Sequence, residues 1–257
     1  MRSETLKVAL QPVVSLSRER IFGYEALARQ GKSPVAPVHL FERAVENGTI
    51  AELELSVLRR SLAAAVRLLT TEHLFVNINP AALEHATFAK RVLALLDVHP
   101  FPAEQIIFEI TEQAPFRNMD VAIANLHVLR ARGARFALDD LGSGFSHLEY
   151  FDRIAPSFLK IGRGLGSAFE CAAWRTSVVR NLQTFARETG CALVLEGIES
   201  GETADAARGL GIALGQGYYF REPKLADDYS RITALAFSSA SFRPTATAAG
   251  RTHLSHG

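Results

Sequence analysis

A chain of 257 residues with 48% hydrophobic and 21% charged residues can fill a large core, which excludes a disordered or low-complexity protein and fits one barrel-sized domain. Its formal net charge of +1 provides no broad basic field of the kind that holds long nucleic acids, so an anionic ligand must be met locally, by a metal or one or two arginines. Two cysteines, Cys171 and Cys191, read as buried packing groups, and the absence of a signal-type h-region or a long uncharged apolar run points to a cytoplasmic protein with no membrane span.

Val8–Val14 and Phe22–Leu27 read as strands separated by the polar turn Ser15–Arg20, a connection short enough to favour an antiparallel pair. From residue 39 the pattern becomes helical, with Leu55, Leu58, Leu62, Val66 and Leu69 at the spacing of one buried face. After a strand ending at Asn77, Asn79 and Pro80 fit an N-cap and a first-turn proline, and Leu83–Leu96 supply a further helical stretch. Trp174, Val178, Leu182 and Phe185 form a later helix stripe that stops at Gly190, and the next strand starts at Cys191. Repeated alternation of strand and helix predicts a parallel sheet with helices outside it, here closed into a barrel over residues 1–237. Residues 238–257, rich in Ser, Ala, Thr and Gly, read as a flexible C-terminal tail.

Polar residues stand at the ends of the short apolar runs. Glu25 ends Ile21–Tyr24, Asn77 ends Leu74–Val76, Glu109 ends Ile106–Phe108, and Asp139-Asp140 end Arg135–Leu138. Lys160 follows Phe158-Leu159, Glu196 follows Ala192–Leu195, and Gln216 sits between Gly215 and Gly217. Strands that each deliver one functional group at their C-terminal end build the active face of a barrel enzyme. Side chains two apart on a strand face the same way, so Glu109 shares its face with Ile107, Asp139 with Ala137, Lys160 with Phe158 and Glu196 with Val194. The expected picture is an apolar interior beneath a polar rim.

Glu25, Asn77, Glu109 and Asp139 offer carboxylate and amide oxygens, a donor set for Mg2+ or Mn2+, and no His or Cys cluster has zinc spacing. Asp140 and Glu196 bring enough carboxylates for a second cation, the arrangement that clamps attacking and leaving oxygens in phosphoryl transfer. A lysine among them, Lys160, would stay cationic and hold a nucleophilic water or a phosphate oxygen.

Glu25-Ala26-Leu27 followed by Arg29 resembles the hallmark of EAL domains, bacterial phosphodiesterases that hydrolyse the messenger cyclic di-GMP. The resemblance runs over roughly residues 6–235 and includes Gln11-Pro12-Val13-Val14, Asn77, Glu109-Ile110-Thr111-Glu112, Asp139–Gly144, Leu159-Lys160-Ile161, Glu196-Gly197-Ile198-Glu199 and Gln216-Gly217-Tyr218, in the family's order and spacing. It implies an α/β fold, a modified TIM (β/α)8 barrel with the first strand antiparallel, in agreement with the short turn Ser15–Arg20. It implies two divalent cations, Mg2+ or Mn2+, with Glu25, Asn77, Glu109 and Asp139 at one and Asp139, Asp140 and neighbouring groups, Glu196 among them, at the other. Glu25, Lys160 and Glu196 would be catalytic, with Lys160 or Glu196 positioning or deprotonating the water. Gln11, Arg29 and Gln216 would contact or support the dinucleotide, and Glu199 would brace the loop beginning at Asp140. The product would be linear pGpG. A homodimer, with control by a regulatory partner, by expression or by ligand supply, completes the expectation.

Three positions depart from the family pattern. Gly162 stands where an Asp is usual two residues after the lysine, Leu141 replaces a Phe, and Ser157 replaces an Asp. An absent carboxylate beside the lysine lets a second reading compete: a weakly active or inactive domain serving as cyclic di-GMP receptor or protein-interaction module. Under the receptor reading, aspartate restored at 162 would raise turnover sharply.

Overall fold

The first two strands, β1 (Leu6–Ser15) and β2 (Arg20–Gln30), pair antiparallel along their whole lengths and set Gln11 opposite Glu25, with a register shift between Val13 and Val14. The computed structural model describes residues 6–31, 37–111, 114–141, 147–162 and 173–229. The expected tail, residues 238–257, lies outside the described residues, as do Cys171 and the side chain of Trp174.

From β2 the sheet continues in parallel through β3 (His73–Ile78), β4 (Ile106–Thr111), β5 (Arg135–Asp139), β6 (Phe158–Ile161), β7 (Ala192–Leu195) and β8 (Leu214–Gly215). Val14 and Ser15 of β1 pair antiparallel with β8, so β1 bridges β8 and β2 and closes the barrel. A last short strand, β9 (Lys224–Leu225), lies against Ala9 and Leu10 of the same edge. The architecture is the expected eight-stranded barrel with its first strand reversed, and both predicted strands of the opening hairpin run one to three residues further at each end.

Strand parity builds the interior as expected. Val13, Phe75, Ile107, Ala137, Phe158, Val194 and Leu214 form one closed apolar cluster inside the barrel, two residues below the polar strand ends. Phe75 and Phe158 meet edge to face at 5.8 Å, and Phe22 packs on both. This packed floor stops water from reaching the polar rim from below. The alternate faces of the strands join the helices in a second, larger core.

Helices α1 (Val38–Glu46) and α2 (Ile50–Leu68) follow β2. Leu55, Leu58, Leu62 and Leu69 are buried as the spacing predicts, but Val66 is 41% exposed and Ala65 takes the buried place. The reason is the helical period: after Leu62 the next inward position falls three residues on. The stretch Leu83–Leu96 is not one helix. It divides into α3 (Pro80–Leu83) and α4 (Phe88–Val98), with Asn79 capping α3 by accepting from the Ala81 amide at 2.9 Å. Asn125 on α5 (Met119–Ala131) satisfies the break, donating to Leu83 O at 2.7 Å and His85 O at 3.0 Å and accepting from the Ala89 amide at 3.1 Å. After the short α6 (Phe151–Ile154), α7 (Ala173–Glu188) buries Val179 and Ala186, with Val178, Leu182 and Phe185 half-buried beside them. Gly190 then turns at φ +75, and Cys191 is buried with its thiol donating to Pro156 O, one residue before β7 begins. Helix α8 (Gly201–Gly209) leads to β8. Among the described residues no helix is long and apolar enough to cross a membrane.

Candidate active site

The register of the parallel strands sets the polar ends side by side. Asn77 lies beside Glu109, Asp139 beside Thr111, and Lys160 beside Val194. Backbone hydrogen bonds carry the ladder past the strands: Leu141 donates to Lys160 O at 3.2 Å, Glu196 to Ile161 O at 3.0 Å, and Gln216 to Leu195 O at 2.8 Å. These ties hold groups from β5, β6, β7 and β8 at one rim.

Lys160 is the centre of the arrangement. Its side chain is fully buried, and Nζ lies 2.7 Å from Glu196 Oε1, 2.9 Å from Glu109 Oε1, 3.3 Å from Asp139 Oδ1 and 3.5 Å from Glu25 Oε2. Burial alone would lower the lysine's pKa, but the charges of Asp139, Glu109, Glu196 and Glu25 outweigh it and hold the ammonium well above its usual value. Glu25 is held on both oxygens: Asn77 Nδ2 donates to Oε1 at 2.8 Å and Gln216 Nε2 to Oε2 at 2.7 Å. Against burial, Lys160 and these two donors keep Glu25 below the ordinary carboxyl value. Burial pushes the other three acids up. Glu109 is raised well above its usual range with further repulsion from Glu25, Asp139 reaches about 7 although Lys160 opposes the shift, and Glu196 is raised likewise.

Divalent cations fit this donor set. One ammonium cannot neutralise four surrounding carboxyls, and both Glu109 Oε2 and Gln216 Oε1 are buried without a hydrogen-bond partner. Asp139, Asp140 and Glu196 each bring a carboxylate oxygen to within 4.8 Å of the others, close enough to share an ion. Asp140 reaches this group from a left-handed backbone conformation, φ +58, with its amide donating to Asp139 Oδ1 at 2.9 Å.

The structure also places the expected ligand-contact residues. Gln216 Nε2 donates to Gln11 Oε1 at 3.1 Å as well as to Glu25, and Gln11 Nε2 donates to Arg221 O at 3.3 Å, so Gln11 is built into the rim. Arg29 is buried, its Nη1 donating to Ala28 O at 2.8 Å, while Tyr218, near enough to act on its charge, is 48% exposed at the mouth. Glu199 is exposed on the turn after β7, and the loop it is expected to brace lies largely outside the described residues, together with Glu112. Leu141 is buried in the outer core, and Ser157 joins β5 to β7 through its backbone, accepting from Ala192 and donating to Phe136 O.

One acidic residue behind the rim escaped the sequence reading. Glu54 on α2 is buried, accepts from the Asn79 amide at 2.9 Å, and is pushed up to about 8 by burial. The available signal was an acid on the same helix face as Leu58 and Ser61, where an apolar residue is expected.

Comparison with known proteins agrees with the geometry. The EAL domain family model matches residues 1–223. The cyclic di-GMP phosphodiesterase RocR of Pseudomonas aeruginosa is 28% identical over 83% of this chain and 56% of its own length. Among solved structures, the PaMucR phosphodiesterase in complex with c-di-GMP superposes with a TM-score of 0.78 at 27% identity, covering 87% of this chain and 98% of that one. A manganese and cyclic di-GMP complex of Klebsiella pneumoniae BlrP1 gives 0.78 at 26% identity, covering 88% and 58%. The chain spans 31%, 28% and 27% of the length of three other curated relatives that it matches. With most of its length matched by the family model and the strand-end groups gathered at one rim, the chain belongs to the EAL domain family.

Proposed function

We propose that this chain is a metal-dependent phosphodiesterase that opens one phosphodiester of cyclic di-GMP and releases linear pGpG. The observation that carries the reading is the ring of Glu25, Glu109, Asp139 and Glu196 around one buried ammonium, all within 3.5 Å. Mg2+ or Mn2+ would be held by Glu25, Asn77, Glu109 and Asp139 at one position and by Asp139, Asp140 and Glu196 at the other. RocR and PaMucR, both phosphodiesterases, and the cyclic di-GMP bound by PaMucR and BlrP1 support the substrate class. Bound cations supply Lewis-acid charge to the phosphoryl oxygens and make a water more acidic.

The chain's own residues do the rest. Asn77 and Gln216 fix both oxygens of Glu25, so its carboxylate keeps one orientation. Four carboxyls around Lys160 keep it an ammonium, suited to orient the water or a phosphate oxygen and unable to accept a proton. That leaves Glu196, whose side chain is the most exposed of the four acids at 16%, to take the water's proton. Arg29, Gln11 and Gln216 would line the dinucleotide's approach, and Glu199 would brace the loop after Asp140. The reading extends, on the family resemblance, to a cytoplasmic homodimer under a regulatory partner.

Calorimetric titration with cyclic di-GMP in Ca2+, paired with chromatography of the nucleotides in Mg2+ or Mn2+, tests the proposal. Binding with conversion to pGpG is the expected result. Binding with the dinucleotide left intact would replace the hydrolase by the receptor, and absence of binding would leave only the interaction module.

A further inference from the structure

Glu54 is a buried acid on α2, outside the ring around Lys160, and the proposed chemistry makes no use of it. Its Oε1 accepts from the Asn79 amide at 2.9 Å, two residues beyond Asn77. Asn79 is the N-cap of α3, and both of its oxygens are committed to that helix: Oδ1 accepts from the Ala81 amide at 2.9 Å, and the carbonyl accepts from the Ala82 amide at 2.9 Å. The amide of an N-cap residue is a donor the helix itself cannot satisfy, and a Glu or Gln three residues on often accepts from it. Here that place holds Ala82, whose side chain has no acceptor. Glu54 takes the role from another helix.

The bond falls where the strand ladder thins. Among the described residues β2 pairs with β3 only as far as Ala26 and Val76, so at Asn77 and Ile78 the ladder continues on the β4 side alone, through Glu109 and Ile110. Asn77 must nevertheless direct Nδ2 to Glu25 Oε1 at 2.8 Å and keep its carbonyl oxygen for a cation. We infer that Glu54 is a positioning residue for the cation site at Asn77: by accepting from the Asn79 amide it ties the β3–α3 turn to α2 and fixes the backbone that aims the Asn77 side chain. The inference rests on the metal-dependent reading given above. Losing a hydrogen bond that orients a metal ligand from outside the site costs about 10- to 100-fold in metal affinity.

The test is a titration of the whole chain with Mn2+ alone, free Mn2+ being read by electron paramagnetic resonance, for wild type, Asn77→Ala, Glu54→Leu, Glu54→Gln and the Glu54→Leu, Asn77→Ala double variant. Leucine is a good helix former on a face that is already apolar, so the fold is kept while the acceptor is removed; glutamine keeps the acceptor. Asn77→Ala marks the site to be followed. Glu54→Leu should weaken that same site by about tenfold and leave any other within about twofold, whereas Glu54→Gln should bind as wild type does. In the Asn77→Ala background Glu54→Leu should have no further effect, because the two positions act through one ligand. Leu62→Ala, a cavity in the same helix, reports what lost stability alone does and should leave Mn2+ binding unchanged. Unchanged binding by Glu54→Leu, a glutamine variant as weak as the leucine one, a loss that persists without Asn77, or an equal loss in Leu62→Ala overturns the inference. Wild type whose Mn2+ binding Asn77→Ala does not alter would defeat the metal reading and the inference with it. Normal Mn2+ binding with no pGpG would defeat the phosphodiesterase reading alone.

Discussion

Asn77 Nδ2 donates to Glu25 Oε1 at 2.8 Å, and this bond decides which atom the amide keeps for a ligand. With its NH2 group turned to the carboxylate, Asn77 has its carbonyl oxygen left to offer. Asn77→Asp would set two acid oxygens where a hydrogen bond now stands. In EDTA the variant should lose about 2 kcal/mol of stability, the scale of a hydrogen bond to a charged group. Saturating Mn2+ should narrow the gap to wild type, since ligand stabilisation grows with affinity and the added acid oxygen binds the cation more tightly in the variant. Thermal scans of both proteins with and without Mn2+ check the difference.

Lys160→Met removes the cation that touches four acids among the described residues. Activity should fall by about 10^2- to 10^3-fold, the scale of removing one preorganised electrostatic donor. Metal-free stability should drop by about 3–5 kcal/mol at pH 8.5, the cost of leaving buried charge unpaired. The penalty shrinks at pH 6, where the acids, already raised in pKa by burial, take up protons. A drop of equal size at both pH values would contradict the ring as an electrostatic unit.

Glu54 gives a pH dependence remote from the rim. Its folded value of about 8 lies above the ordinary 4.5, so the unfolded chain releases this proton first. Between these values the folded state holds the extra proton, and stability falls as pH rises, by at most about 1.4 kcal/mol per pH unit. Below 4.5 the contribution is complete, and above 8 it is lost. Glu54→Gln can still accept from the Asn79 amide without ionising. Urea midpoints from pH 5 to 8.5 should show the variant gaining on wild type as pH rises, by on the order of 2 kcal/mol at pH 8. A constant difference would mean that Glu54 keeps its proton in neither state.

Asn125→Ala should destabilise the protein by about 2–4 kcal/mol. It strands Leu83 O, His85 O and the Ala89 amide at the break between α3 and α4. Chemical denaturation measures the loss, and a change under 0.5 kcal/mol would mean that water replaces all three bonds.

Much of the barrel was legible because strand parity and a reversed first hairpin are written locally: Ile107, Ala137, Phe158 and Val194 lie inside two residues below Glu109, Asp139, Lys160 and Glu196. The rim residues were legible for the same reason, each ending an apolar run. What escaped depends on contacts distant in sequence. The helix break at residues 84–87 is held by Asn125, about 40 residues away, and nothing in Leu83–Leu96 itself announces it. Glu54 reads as one more polar residue until α2 packs it against the Asn79 amide.

The measurement that tests the central claim most directly is mass spectrometry of the nucleotides after incubating the protein with cyclic di-GMP and Mn2+ in 18O-labelled water, beside a Glu25→Ala control. Hydrolysis at the strand-end ring predicts pGpG with one labelled oxygen in its terminal phosphate, formed by wild type and lost in the variant. Intact cyclic dinucleotide from wild type, or equal labelled product from Glu25→Ala, would contradict it.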